Sequence, residues 1–258
     1  MTVPCGKCFE CRQAKKQEWC FRLDQELRLS QVSFFVTLTY DDDHLPWADE
    51  QPCLCKSDLQ KHFKRLRKKI EKRSLKYFAV GEYGDHGARP HYHYLLFYSG
   101  QKDRFEIMRL IKDDWTFGFS KVLPVKGAQG YVTKYVLKFE DREFYVPPFS
   151  MISQGLGIGY LSDSMKVFHQ KNLQSFAIKP GGFKITLPRY YKDKIFTIDE
   201  KIRLKKRADL FRHELELKRL DRFDFQIDLG INPFQKIISI YQHRLYQSLK
   251  LYKEKKKL

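Results

Sequence analysis

No segment of the 258-residue chain approaches the ~18 consecutive apolar residues of a membrane-spanning helix, and apolar stretches are short, such as Phe34-Phe35-Val36. The opening residues Met1 to Cys8 lack the apolar core of a secretory signal. No G-x-x-x-x-G-K-S/T phosphate loop occurs, so the chain is not expected to carry a motor of its own. Gly155, Gly157 and Gly159 lack the spacing and the strand-to-helix context of a dinucleotide fingerprint. No internal repeat is visible. Acidic residues are in deficit, with 31 Asp+Glu against 49 Lys+Arg and a net charge of +18. Together these absences argue against membrane and extracellular classes. Six cysteines without a secretory route then imply reduced thiols or a metal, not a disulfide framework.

What is present is a foldable, strongly basic chain. At 42% hydrophobic and 15% aromatic it has the apolar content for a buried core, and its length suits one or two domains. Eighteen excess positive charges call for a polyanionic partner, nucleic acid first among them.

Residues 9–30 read as a helix interrupted by Trp19, Phe21, Leu23 and Leu27. The Val, Phe and Thr content of Gln31 to Tyr40 suits a strand. After a loop holding Asp41, Asp42, Asp43, Pro46 and Pro52, Ser57-Asp58 offers an N-cap to a helix. Its apolar positions are Leu59, Phe63, Leu66 and Ile70, and its other faces carry Lys61, Lys64, Arg65, Arg67, Lys68 and Lys69. A solvated helix surface explains such charges, and the whole-chain excess favours a phosphate-facing surface.

Strands are expected at 75–83 and 91–98, a helix at 104–115, a strand at 118–125 and a helix at 128–139. This order predicts an α+β fold, a central antiparallel sheet flanked by helices. Pro147-Pro148 and the glycines at 155–159 mark a break. It divides the chain into residues 1–160, with a cysteine-containing N-terminal segment, and a basic, mostly helical region 161–258. In the latter, a helix near 161–171, short strands at 173–187 and helices at 198–220 and 233–255 are expected.

The segment Arg89-Pro90-His91-Tyr92-His93 carries the strongest chemical signal. Side chains alternate along a strand, so His91 and His93 share a face about 7 Å apart, and two such imidazoles can chelate a divalent cation. An antiparallel turn near His86-Gly87 places Glu82 opposite His91. That adds a carboxylate, a mixed N/O set suited to Mn²⁺ or Mg²⁺, with zinc as an alternative. The plain alternative is a pair of surface histidines.

In Gly130 to Lys138, Tyr131 and Tyr135 share a helix face at i, i+4, and Lys134 and Lys138 follow each by three residues. A phenol needs nearby positive charge to act as a nucleophile at neutral pH. Packing alone would also account for two such tyrosines. Asp41 to Asp43 are rival carboxylates for a cation, better explained by turn formation. His86 and Arg89 are candidates for a DNA entrance. Cys5-x-x-Cys8 with Cys53-x-Cys55 could supply four thiolates to a structural Zn²⁺, with Cys11 an equally good ligand.

These residues resemble the HUH endonucleases, initiators of rolling-circle replication, and among them the initiators of microviruses, especially the gokushovirus branch. Phe35-Val36-Thr37-Leu38-Thr39-Tyr40 resembles that family's first motif, His91-Tyr92-His93 the second, and Tyr131 to Lys138 the third. Pro4-Cys5-Gly6-Lys7-Cys8 and Gly155 to Tyr160 are also similar to the gokushovirus branch. Tyr92 departs from the more usual aliphatic residue between the histidines.

The resemblance implies a Rep-like nuclease domain whose cation, Mg²⁺ or Mn²⁺, is held by His91, His93 and Glu82. It implies that Tyr131 or Tyr135 attacks single-stranded DNA at the origin, leaving a 5′-phosphotyrosine and a 3′-OH. The strand is later rejoined by the second tyrosine. Host helicase and DNA polymerase would be partners, in the host cytoplasm. Two other readings fit parts of the pattern: a non-catalytic nucleic-acid-binding module, and a metal-dependent nuclease that activates water.

Overall fold

Strands β1 (Val32–Thr39), β4 (Leu75–Tyr83) and β5 (Pro90–Tyr98) are rich in β-branched and aromatic residues, and each is largely buried. In the computed structural model they form the centre of a five-stranded sheet. The structure describes residues 5–6, 8–70, 74–84, 87–125, 144–179 and 181–228. The sheet order is β6-β1-β5-β4-β7, with β6 at Ser120–Pro124 and β7 at Phe149–Ile152. Every neighbouring pair is antiparallel. The fold is α+β, as the element order implied.

Alternation divides the sheet's residues between two faces. On one face Phe34, Val36, Leu38, Tyr77, Ala79, Tyr92, Tyr94, Leu96 and Tyr98 meet two helices, α2 (Lys56–Lys69) and α3 (Arg104–Asp114). Leu59, Phe63 and Leu66 of α2 and Ile107 and Ile111 of α3 are essentially inaccessible there. Each such aliphatic or aromatic side chain contributes about 1.5–3 kcal/mol on burial. The α3 start is fixed by a reciprocal cap, Asp103 accepting from the Glu106 backbone while Glu106 accepts from that of Asp103.

Helix α2 starts one residue earlier than Ser57-Asp58 suggested, with Cys55 as its N-cap and no side-chain cap. Asp58 instead lies in the first turn and accepts a hydrogen bond from the Tyr40 hydroxyl at 3.0 Å. Tyr92 supplies what the cap does not. Its buried hydroxyl accepts from the Cys55 backbone N–H at 2.7 Å and donates to the Cys55 carbonyl at 2.9 Å. An aliphatic residue could not do this, which accounts for the phenol between the histidines.

The opposite face meets α1 (Phe9–Leu29). Leu23 packs with Phe78, Val80, Leu95 and Phe97, joined by Trp19 and Leu27. The Trp19 and Phe78 rings meet edge-on at 5.1 Å, and Glu26 pairs with Lys76 at 2.9 Å. The glycine run at 155–159 closes over α1. Gly157 donates to Glu26 at 2.7 Å, and the Arg22 guanidinium donates to the Leu156 carbonyl at 2.8 Å. Gly157 has φ +78°, and a Cβ there would stand 2.7 Å from the Arg22 carbonyl, so both conformation and space require glycine. These glycines serve helix packing, not nucleotide binding.

Beyond them lie a 3₁₀ turn (Ile158–Tyr160), α4 (Asp163–Asn172), the small hairpin of β8 (Phe176–Ile178) with β9 (Lys184–Thr186), and α5 (Arg189–Ile195). Another small hairpin, β2 (Trp47–Ala48) with β3 (Gln51–Pro52), occupies the loop after β1. Strands β2, β3 and β7 and helix α5 were not expected from sequence. The first compact unit runs to Ile195, and the second comprises 196–258. Within the second, α6 (Ile198–Asp228) opens with a reciprocal cap between Thr197 and Glu200. The helices expected at 128–139 and 233–255 lie outside the described residues.

Candidate metal and phosphate site

The β4–β5 register pairs Glu82 with His91, as a turn near His86-Gly87 requires. On the α1-facing side of the sheet the side chains then fall in rows. Thr39, His91 and Glu82 form the first row, and Thr37, His93 and Val80 the second. Phe35, Leu95 and Phe78 follow, then Ser33, Phe97 and Lys76. One end of the face is polar and donor-rich, and the next rows are apolar and covered by α1.

The His91 and His93 rings are parallel, with centroids 6.3 Å apart. Phe35 stacks on His93 at 5.7 Å. The His91 Nδ1 lies 2.7 Å from the Arg89 carbonyl, which can only accept, so Nδ1 carries the proton and Nε2 keeps its lone pair. Burial holds the His91 pKa below the ordinary imidazole value, against the opposing pull of that hydrogen bond. A neutral ring is the form a cation needs.

The His93 Nε2 meets a Glu82 carboxylate oxygen at 3.1 Å, and its Nδ1 meets the Thr37 hydroxyl at 3.0 Å. With the carboxylate accepting at Nε2, a neutral ring takes a hydrogen bond from Thr37 at Nδ1. The hydroxyl can reverse and accept from Nδ1, which frees the Nε2 lone pair. Thr37 therefore supports either tautomer. It was visible only as part of a strand motif, because its partner lies 56 residues away.

Two imidazoles and a carboxylate on one rigid strand pair fit a divalent cation by donor type. Their nitrogens are oriented by outer partners, as metal-ligating histidines commonly are. Among the described residues the three donor atoms do not all lie within 4.8 Å of one another. The His91 ring must therefore swing toward the Glu82–His93 pair for all three to share one ion. Lys121, paired with Thr37 in β6, is exposed on the same face, two strands or about 10 Å from β5. It is a cation that sequence reading passed over.

The surrounding loops are tied together. Arg89 bonds Asp42 and the Tyr40 carbonyl, each at 2.6 Å. Asp41 accepts from the His44 ring and backbone, at 2.7 and 2.9 Å, and these bonds lower its pKa. Asp41 and Asp42 thus serve turns. The basic face of α2 is placed differently from what the charge excess favoured: α2 lies on the opposite side of the sheet from His91 and His93. Arg65 and Lys69 there pair with Asp114, each at 3.1 Å, and Arg67 lies over the Tyr77 ring.

Tyr131, Lys134, Tyr135, Lys138 and His86 lie outside the described residues. Of the four cysteines considered together, Cys5 and Cys8 are gathered with Cys11, and not with Cys53 and Cys55. Cys53 is buried after the β2–β3 hairpin, and Cys55 begins α2.

Comparison with known proteins now adds to this geometry. The family model described as replication-associated protein ORF2 matches residues 33–140, a span that contains all three motifs. The chain is 28% identical over 254 residues to Replication-associated protein VP4 of Bdellovibrio phage phiMH2K, covering 86% of this chain and 78% of that protein. The chain is a relative of the microvirus replication-associated proteins. Replication-associated protein ORF2 of Spiroplasma virus 4 is 28% identical, over 74% of this chain and 66% of its own length. Replication-associated protein ORF4 of Chlamydia phage 1 is 29% identical, over 74% of this chain and 53% of its own length. The chain thus spans less than two thirds of the length of two of these relatives. No solved structure matches it. No helix among the described residues is long and apolar enough to cross a membrane.

Proposed function

We propose that this relative of the microviral replication-associated proteins initiates phage DNA replication as an HUH endonuclease, nicking and rejoining single-stranded DNA at the origin through tyrosine. The observation that carries this reading is the convergence of His91, His93 and Glu82 at the polar end of one sheet face, with both Nδ1 atoms held by neighbours.

His91 and His93 offer Nε2, and Glu82 a carboxylate oxygen, to a divalent cation. When bound, Mg²⁺ or Mn²⁺ would neutralise charge on the scissile phosphate and polarise it. Tyr131 or Tyr135 supplies the nucleophile. Its phenolate oxygen forms a bond to phosphorus as the bond to the 3′-oxygen breaks, and that oxygen takes a proton to become a 3′-OH. The 5′-phosphate stays on tyrosine, so the phosphodiester's energy is kept for rejoining without ATP. Lys134 and Lys138, one turn from each tyrosine on a helix, favour the phenolate and the charge gathered at phosphorus. The free 3′-OH would serve host DNA polymerase, and unwinding would fall to a host helicase.

The test is the intact mass of the full chain after incubation with Mn²⁺ and single-stranded DNA carrying the origin. The expected result is an oligonucleotide adduct that EDTA prevents and that Tyr131→Phe with Tyr135→Phe abolishes, each single variant showing which residue leads. Cleavage with no adduct would replace this reading with a water-using nuclease. DNA binding with neither would reduce the chain to a binding module.

A further inference from the structure

The turn before α1 holds a second cluster that the nicking reading does not use. Cys5, Cys8 and Cys11 recur every three residues, and their sulfurs all lie within 4.8 Å of one another. We infer that Cys5, Cys8 and Cys11 form a thiolate site for a single zinc ion, independent of the histidine site.

Four observations support it. The Cys5 and Cys11 sulfurs are 4.0 Å apart. That is too far for a disulfide, whose sulfurs stand about 2 Å apart. It is close to the roughly 3.8 Å that tetrahedral coordination with Zn–S bonds of about 2.3 Å places between two ligands. The Cys8 backbone N–H donates to the Cys5 sulfur at 3.2 Å, an arrangement that stabilises a sulfur carrying negative charge. Gly6 between them has φ +73°, the left-handed conformation that lets the chain fold back within two residues. Cys8 is the N-cap of α1 and does not cap it through its side chain, and Cys11 lies in the first turn. The partial positive charge of a helix N-terminus favours anionic ligands there.

The three sulfurs occupy one side of a tetrahedron, and Cys5 and Cys8 are exposed, so the fourth position falls to a water molecule. Three-residue spacing also occurs in iron–sulfur proteins. A four-iron cluster, however, holds its cysteine sulfurs farther apart than a single ion does, and the distances here fit the single ion. The ion would join the turn to the first helical turn of α1, the helix whose later residues cover the apolar rows of the sheet.

The experiment titrates the reduced, metal-stripped full chain with Co²⁺ and then Zn²⁺, following absorption. A single equivalent of Co²⁺ should produce the visible bands of a tetrahedral ion and a thiolate-to-cobalt charge-transfer band, and equimolar Zn²⁺ should erase both. Substituting His91→Ala with His93→Ala, or Cys53→Ser with Cys55→Ser, should leave these signals intact. Combined Cys5→Ser, Cys8→Ser and Cys11→Ser should abolish them. Cys11→His, which keeps a donor, should retain binding with a weaker charge-transfer band, and this guards against a triple variant that does not fold. The proposal is overturned if the reduced chain shows no charge-transfer band, if the band survives the triple substitution, or if it is lost with Cys53 and Cys55. The histidine variants separate this outcome from failure of the nicking reading.

Discussion

The two faces of the central sheet are made by the same strands, yet they do opposite work. Toward α2 and α3, β5 presents Tyr92, Tyr94, Leu96 and Tyr98, all essentially inaccessible and packed with aliphatic and aromatic side chains. Toward α1 it presents His91, His93, Leu95 and Phe97, a row that changes from metal-ligand chemistry to apolar packing within four alternate residues. The polar groups of the first face are spent on structure. His62 is held between Asp114 at 2.8 Å and the Tyr94 hydroxyl at 2.9 Å, fully buried and with its ordinary basicity lowered chiefly by burial. A histidine is therefore not a site by itself. His91 and His93 differ from His62 in sharing an edge of the sheet with a carboxylate and in having one nitrogen each turned toward it.

That contrast predicts substitutions that lower stability on one face and ones that lower metal affinity on the other. The largest stability loss is expected for Leu96→Ala, which removes a wholly buried side chain on the helix-covered face. It should cost about 3 kcal/mol in urea unfolding while the folded fraction keeps its affinity for Mn²⁺. Asp114→Asn comes next. Burial would raise the pKa of this carboxyl, but hydrogen bonds from His62, Arg65 and Lys69 bring it down to about 2, against an ordinary 3.8. Its ionised form therefore adds stability that is full above about pH 4 and disappears as the pH falls through about 2. The substitution should cost about 2 kcal/mol at pH 7 and flatten the dependence of urea stability on pH across that acid window.

Tyr92→Phe should follow at about 2 kcal/mol, since the Cys55 backbone N–H and carbonyl both lose a buried partner. Thermal unfolding would register it, with metal binding unchanged. Thr37→Val has the smallest expected effect on stability and acts on the other face. It removes the hydroxyl that lets His93 change tautomer and should weaken Mn²⁺ binding about tenfold in calorimetric titration. If Thr37→Val instead matched Leu96→Ala in stability loss and left metal affinity alone, the division of labour between the faces would be wrong.

How far the sequence alone reached follows from contact range. The β4–β5 pairing could be read because a short loop joins two nine-residue strands, so the turn sets the register and puts Glu82 opposite His91. The buried face of α2 was legible for a similar reason, one apolar stripe on one helix. By contrast, β7 follows Pro147-Pro148 with only four residues, too few for an alternation pattern, and gains its place from pairing with a strand about 70 positions earlier. The closure of the glycine run over α1 depends on contacts 131 and 134 residues apart. The cysteines show the same limit. Cys5 and Cys8 were matched by spacing to a distant pair, whereas the chain turn at Gly6 gathers them with Cys11 nearby.

The most direct test of the central claim, that the polar end of the α1-facing sheet surface is the metal and phosphate site, is one set of paired measurements on His91→Ala combined with His93→Ala. Mn²⁺ binding and origin-strand cleavage would be measured on the same sample as its urea stability. The account predicts that binding at this site and cleavage are lost together, by at least about a hundredfold, while stability stays within about 1 kcal/mol of the unaltered chain. Cleavage and Mn²⁺ affinity that persist in a folded double variant would contradict it.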